Sequence, residues 1–320
     1  LRAAEWLLDH QLLGPGDWQV KNPDAHPGGW GFEFRNDFYP DVDDTAFVLM
    51  ALQRVAFPDR TRMEQAIRRG LAWLLSMQNR DGGWGAFDRD NDCRALTQVP
   101  FADHNAMIDP STADVTARVL ECLGRYGWPA SHPVLQRGVR FLLRDQAPDG
   151  SWYGRWGVNY VYGTGGVLRA LETVALTARE YCQRGVAWLR AVQKPDGAFG
   201  ESIASYYDSK LKGRGPSTPS QTAWGLIGLL AASEPGDPAI GRAGAWLVGQ
   251  QNPDGSWDEA EFTGTGFPRV FYLKYHLYRN YFPLYALARY RNVLRGEREL
   301  RAFEAPPREF ERRNGNREGR

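Results

Sequence analysis

Cysteine is scarce. Cys93, Cys122 and Cys182 are the only three in 320 residues, far apart and without a CxxC pair. A disulfide framework or a zinc site is therefore disfavoured, and a reducing compartment fits. An excess of charge is lacking too: 39 basic residues meet 38 acidic ones, which removes the electrostatic case for nucleic acid. No apolar run approaches the roughly 18–20 residues a membrane-spanning helix needs, and no signal peptide is visible. Strand-like alternation is not sustained anywhere. His10, His26, His132 and His276 show no ligand spacing. The opening Leu1-Arg2-Ala3-Ala4-Glu5-Trp6 is already helical in pattern and has no initiating Met, so the sequence is expected to be part of a longer polypeptide.

Aromatic residues are abundant instead, with 12 Trp, 14 Tyr and 15 Phe. Such a load means either a large aromatic core or an aromatic-lined cavity. Many of these residues fall in an internal repeat. Arg2-Ala3, Trp6-Leu7 and Gln11 recur as Arg69-Gly70, Trp73-Leu74 and Gln78, then as Arg137-Gly138, Phe141-Leu142 and Gln146. Two further copies run from Arg184 to Gln193 and from Arg242 to Gln251. Four copies place Gly and an aromatic after the Gln, at Gly82/Trp84, Gly150/Trp152, Gly197/Phe199 and Gly255/Trp257. The first copy is read as ending at Gly16-Asp17-Trp18, with one extra residue.

Physically, this is a helix and its stop: apolar positions at helical spacing, then a Gly-containing turn. The Gln and Trp are expected to be structural staples between outer helices. A second helix series, with polar starts near Thr45, Thr116, Thr164 and Thr222, alternates with the first, and a fifth apolar helix lies near Tyr281. Alternating helices at this period predict an all-α toroid of inner and outer helices. Long insertions should fall before the inner helices, whose polar N-termini should point to one end of a central cavity.

The stretch Asp41-Val42-Asp43-Asp44-Thr45-Ala46 precedes one inner helix. One Asp suffices to cap a helix. Three crowd one another, so at least one should keep its proton to higher pH than a free Asp. These residues alone leave three readings open: a solvated acidic turn, a divalent-metal loop, or a proton donor in an apolar cavity. Asp114 and Arg118 sit at i and i+4, on one helix face. An intrahelical salt bridge between them is the plain reading; a positive group beside the acidic cluster is the alternative.

The repeats resemble the QW motifs of triterpene cyclases, and the acidic stretch resembles the Asp-x-Asp-Asp motif of squalene–hopene cyclases. The runs Gly82-Gly83-Trp84-Gly85-Ala86-Phe87-Asp88, Gly154-Arg155-Trp156-Gly157-Val158-Asn159-Tyr160 and Gly264-Thr265-Gly266-Phe267-Pro268 are similar as well. The resemblance covers about residues 1–295, roughly the C-terminal half of a family member. It implies an incomplete (α/α)6 barrel over 1–295, followed by a polar tail, 296–320, expected to be disordered. Oxidosqualene cyclases are similar too, but they carry a single acidic residue followed by Cys where this chain has Asp43-Asp44.

For the site, the resemblance implies Asp43 as donor, Asp41 and Asp44 as its partners, and Arg118 with Asp114 beside it. It places Phe32, Trp156, Tyr162, Phe267, Phe271, Tyr275 and Tyr278 around the cavity. Phe267/Phe271 and Phe271/Tyr275/Tyr278 also have helix-like spacing, although Gly264–Pro268 suggests a loop. His104 is expected either in a substrate channel or in a loop. Lys274 is expected to snorkel outward.

The reaction implied is cofactor-free cyclisation of squalene to a hopanoid, with no metal. The implied setting is peripheral, on the cytoplasmic face of a membrane, through an N-terminal half outside this sequence. Homodimers are expected, and this chain alone is expected to be inactive or nearly so. The rivals are a cyclase of oxidosqualene or another polyprene, and a non-catalytic helical toroid used for binding.

Overall fold

The computed structural model describes residues 1–98 and 106–297. His104 and all of the polar tail beyond Glu297 lie outside the described residues.

Helices alternate between two layers. The outer layer is α1 (Arg2–Asp9), α3 (Arg60–Ser76), α5 (Pro133–Asp145), α7 (Glu180–Val192) and α9 (Pro238–Gly249). The inner layer is α2 (Val42–Leu52), α4 (Ala113–Arg125), α6 (Tyr160–Thr173), α8 (Pro219–Ala232) and α10 (Tyr278–Leu294). Each inner helix packs on the next, from α2 through α4, α6 and α8 to α10, with outer helices behind them. Burial follows this order. In α5 the buried residues Val134, Leu135, Gly138, Val139, Phe141 and Leu142 form one stripe, as a helix with one covered face requires. In α8 every residue from Pro219 to Ala231 is buried, because the helix has inner neighbours on two sides and outer helices behind. Among the described residues, no helix is long and apolar enough to cross a membrane.

The Gln staple is a three-way clamp. The Gln78 side-chain amide donates to the Gly82 carbonyl in its own loop and to the Val134 carbonyl of the next outer helix. Arg137 of that helix, three residues on, donates back to Gln78 Oε1. Gln146 repeats this with Gly150, Tyr181 and Arg184, and Gln193 with Gly197, Ala239 and Arg242. The arginine that opens one repeat therefore closes the previous one. Gly82 and Gly150 are required twice over. Each has φ of +94°, and a Cβ at either would stand 2.6 Å from the carbonyl of the clamping arginine, Arg137 or Arg184.

The loop aromatic joins the two layers. Trp84 Nε1 donates to the Leu74 carbonyl of outer helix α3, while its backbone N–H donates to Thr116 Oγ1 of inner helix α4. Trp152 does the same with Leu142 and Thr164, and the Phe199 N–H reaches Thr222. This pattern corrects the reading of the first repeat. Trp30, not Trp18, donates from its indole to Leu7 and from its backbone to Thr45. Gln11 accordingly reaches Gly28, 17 residues on, where Gln78 reaches Gly82 only 4 residues on. The insertion is thus 17 − 4 = 13 residues rather than one. Gly16-Asp17-Trp18 imitates the motif but forms a short helical turn, with Trp18 buried edge-on against Trp73.

Small antiparallel sheets occupy two of the loops. Strand β1 (Trp30–Gly31) pairs with β2 (Pro40–Asp41) just before α2. Strand β3 (Gly264–Phe267) pairs with β4 (Phe271–Leu273), with an irregularity between Thr265 and Phe267. This hairpin corrects the helical spacing read across Phe267, Phe271, Tyr275 and Tyr278, of which only Tyr278 is helical. A left-handed residue, Arg269 at φ +69°, turns the chain. The ring of Phe271 then lies where a side chain at Gly266 would stand.

Candidate active site

Strand β2 delivers the acidic stretch to the head of α2. Asp41 is the N-cap: extended in backbone, buried, with Oδ1 accepting the Asp44 N–H at 3.0 Å. Asp43 and Asp44 occupy the first helical turn, at the positive end of the dipole. Asp43 Oδ1 accepts from Arg118 Nε of α4 at 3.1 Å. Its side chain retains 26% of its surface, and it lines the central cavity.

Burial raises all three carboxylates above their ordinary range. For Asp41, burial is followed by repulsion from Asp44 and Asp43, and it stands well above the usual value. For Asp43, burial outweighs the attraction of Arg118, with Asp114 adding repulsion. Asp44 is pushed to about 7 by burial and then by Asp43. Mutual crowding, the cause read from the sequence, comes second to desolvation.

Arg118 does not pair with Asp114. Its Nε serves Asp43 and its Nη1 serves Glu121 Oε2 at 3.1 Å. The guanidinium lies over the Phe47 ring, 3.9 Å from the centroid, with the Tyr162 hydroxyl nearby. Buried Asp114 instead accepts the Trp156 N–H at 2.8 Å and so holds that loop against α4. It remains a charge near Asp43 without a direct bond to Arg118.

The cavity beneath these groups has a volume of about 830 Å³, within the range of small-molecule sites. Phe32, Trp156, Tyr162, Tyr275 and Tyr278 line it, together with Phe47, Trp224, Tyr281, Phe282 and Tyr285, none of which sequence reasoning had placed there. Phe32 meets Tyr275 edge-on, Tyr275 stacks on Tyr278 at 4.7 Å, and Tyr278 meets Phe282 at 4.9 Å. Trp224 joins Phe282 to Tyr162 at 5.3 and 4.9 Å. Phe267 and Phe271 are not among the lining residues. Phe267 packs behind the Trp156 ring at 6.0 Å, and Phe271 packs on Phe267 with much of its ring exposed. The hairpin displaces them from the face that helical spacing would have given them.

Sequence reasoning also missed a set of charges along the wall: Arg54, Glu121, Arg125 and Arg169. A signal existed, since Arg118, Glu121 and Arg125 stand at i, i+3 and i+7 on α4. Likewise Tyr278, Phe282 and Tyr285 stand at i, i+4 and i+7 on α10. Among the described residues, no group of three or more His, Cys, Asp or Glu converges as a metal site.

Acid, guanidinium and aromatic chamber occur in a chain whose residues 1–292 match the model of the squalene–hopene cyclase C-terminal domain. The chain belongs to the squalene–hopene cyclase family. It is 46% identical over 306 residues to the squalene–hopene cyclase of Zymomonas mobilis, covering 94% of this chain and 46% of that protein. It is 49% identical over 295 residues to the squalene–hopene cyclase of Alicyclobacillus acidocaldarius, covering 92% and 47%. The chain thus spans a little under half the length of these squalene–hopene cyclases. The fold is shared with more distant solved structures. One is a type II terpene cyclase from Scytonema in complex with merosterolic acid A (TM-score 0.59, 20% identity, 91% of this chain and 86% of that one). Another is an ent-copalyl diphosphate synthase from Streptomyces platensis (TM-score 0.55, 21% identity, 90% and 50%).

Proposed function

We propose that this chain supplies the acid and much of the cavity wall of a cyclase that converts squalene to a hopanoid, working within a protein as long as its relatives. The observation that carries this reading is Asp43: a carboxyl group raised by burial, held by one guanidinium, and open to an aromatic cavity.

The Asp43 carboxyl O–H adds its proton to a terminal C=C, leaving a tertiary cation on the substrate and a carboxylate on Asp43. Arg118 stabilises that carboxylate as it forms. Desolvation and Arg118 act in opposite senses: the first strengthens the carboxyl's hold on its proton, the second receives the charge when the proton leaves. The cation then migrates through successive ring closures. Trp156, Tyr162, Trp224, Tyr278 and Phe282, which line its path, stabilise it through their ring quadrupoles, each contributing up to ~2 kcal/mol when desolvated. Loss of a proton, or capture of water, ends the sequence. Because squalene is insoluble in water and resides in bilayers, a full-length enzyme acting on it would work as a peripheral protein at a membrane surface.

Asp43→Asn in a full-length cyclase carrying this chain tests the reading, with squalene and oxidosqualene supplied side by side. Squalene conversion should fall by about 10³-fold or more, the upper part of the range for a general acid. Conversion at near wild-type rate would remove Asp43 from the mechanism.

A further inference from the structure

We propose that Glu121 is a positioning residue for the acid: it anchors the far end of Arg118, restricts that guanidinium to one hydrogen bond with Asp43, and so keeps Asp43 available as a donor. The inference rests on the reading of Asp43 as donor.

An arginine facing a carboxylate tends to present Nε and Nη2 together, and such a pair favours the ionised form. Two other arginines of this molecule bring both nitrogens to one carboxylate oxygen, Arg125 to Glu121 Oε1 at 3.1 and 2.7 Å and Arg190 to Asp237 Oδ2 at 2.9 and 2.6 Å. Arg118 gives Asp43 only Nε, to Oδ1. Its opposite nitrogen, Nη1, is fixed to Glu121 Oε2 at 3.1 Å. Glu121 is immobile in turn. Only 4% of its side chain is accessible, and its other oxygen takes Arg125 and, from α6, Arg169 Nε at 3.1 Å. With Nη1 tethered, the guanidinium plane is held back from bringing Nη2 onto the Asp43 carboxylate beside Nε. The second oxygen of Asp43 is left for the proton.

Charge acts in the same direction. Asp43 faces Asp41 and Asp44 from its own segment, Arg118, Asp114 and Glu121 from α4, Tyr162 from α6, and Tyr275 and Tyr278 at the head of α10. Among these, Arg118 is the group that draws the proton off, and Glu121 is the one bonded to it that balances its charge.

The test is the pH profile of squalene turnover in the full-length enzyme. In Glu121→Gln, Arg118 is released and unbalanced, so the alkaline limb of kcat should move down by about one pH unit, with KM little changed. Glu172→Gln is the control. It breaks the far half of the same ion network, where Glu172 joins Arg169 and Arg289, but leaves Arg118 alone; its limb should stay in place. Glu121→Asp keeps the charge but withdraws it from Nη1, and should give a smaller shift in the same direction. It substitutes for the Gln variant if that one fails to fold. Activity lost without a moved limb, or an equal shift in Glu172→Gln, overturns the proposal. Asp43→Asn separates the two readings: if it is active, the donor assignment falls; if it is inactive while the Glu121 limb is unmoved, only the present inference falls.

Discussion

Asp41, Asp43 and Asp44 are near neighbours in sequence, yet each meets a different partner. Asp41 is turned back to its own helix amide, Asp43 is turned out to Arg118, and Asp44 is largely covered and feels Arg118 only at a distance. The last case gives a stability prediction with a defined sign. Asp44 is raised from 3.8 to about 7, so its contribution is fully present below 3.8 and is lost as pH rises through about 7. Asp44→Asn, which stays neutral, should match the wild type in Tm at low pH and exceed it at pH 8. A Tm difference that does not change across this window would contradict the assignment. The cluster was legible in the sequence because three carboxylates within four residues exceed what a cap needs. The dominance of burial was not, since desolvation depends on which helices cover the site. Nor could spacing reveal that Arg118 crosses to Asp43, because i,i+4 adjacency to Asp114 says nothing of a partner 75 residues away.

At the level of elements, the four threonines at the starts of the inner helices act alike, each receiving a backbone N–H from the preceding loop. Thr116 is fully buried, and its Oγ1 accepts from Trp84 at 3.0 Å. Thr116→Val keeps the shape and removes the acceptor, leaving a buried N–H unsatisfied. Urea denaturation should show a loss of about 1–3 kcal/mol. A change within a few tenths would mean that the loop finds another acceptor. The alternation of helices and the place of insertions were readable from repeat spacing, because each hairpin reuses the same stop signal. The first repeat misled because Gly-Asp-Trp satisfies the motif locally; only the bonds to Leu7 and Thr45 identify Trp30. The hairpin of β3 and β4 misled for a related reason. A tight turn sets Phe267 and Phe271 at a helix-like interval without a helix.

Across the whole molecule, the inner helices are also joined through charge. Asp43 on α2 meets Arg118 on α4, Glu121 meets Arg169 on α6, and Glu172 meets Arg289 on α10 at 2.7 Å. Arg289→Met should loosen the last link. A charged hydrogen bond contributes about 1.5–3 kcal/mol, less here because Glu172 is partly exposed, so amide exchange in α10 should quicken by about tenfold. Unchanged protection would show that packing on α8 alone holds the helix. Of this wiring the sequence offered only Arg118 beside the acidic cluster; the other charges could equally have been solvated surface residues. The Gln clamps, by contrast, run strictly from one pair to the next. At one end, Gln251 holds, among the described residues, only its own loop glycine, Gly255. At the other end, Arg2 occupies the clamping position of Arg69 and Arg137, and among the described residues it has no glutamine to grip. The array is therefore directional, like a chain of hooks and eyes, and its termini are the two unlike halves of a single fastening. Any further helical pair bearing the same Arg and Gln can be coupled at either terminus by a joint the molecule already uses.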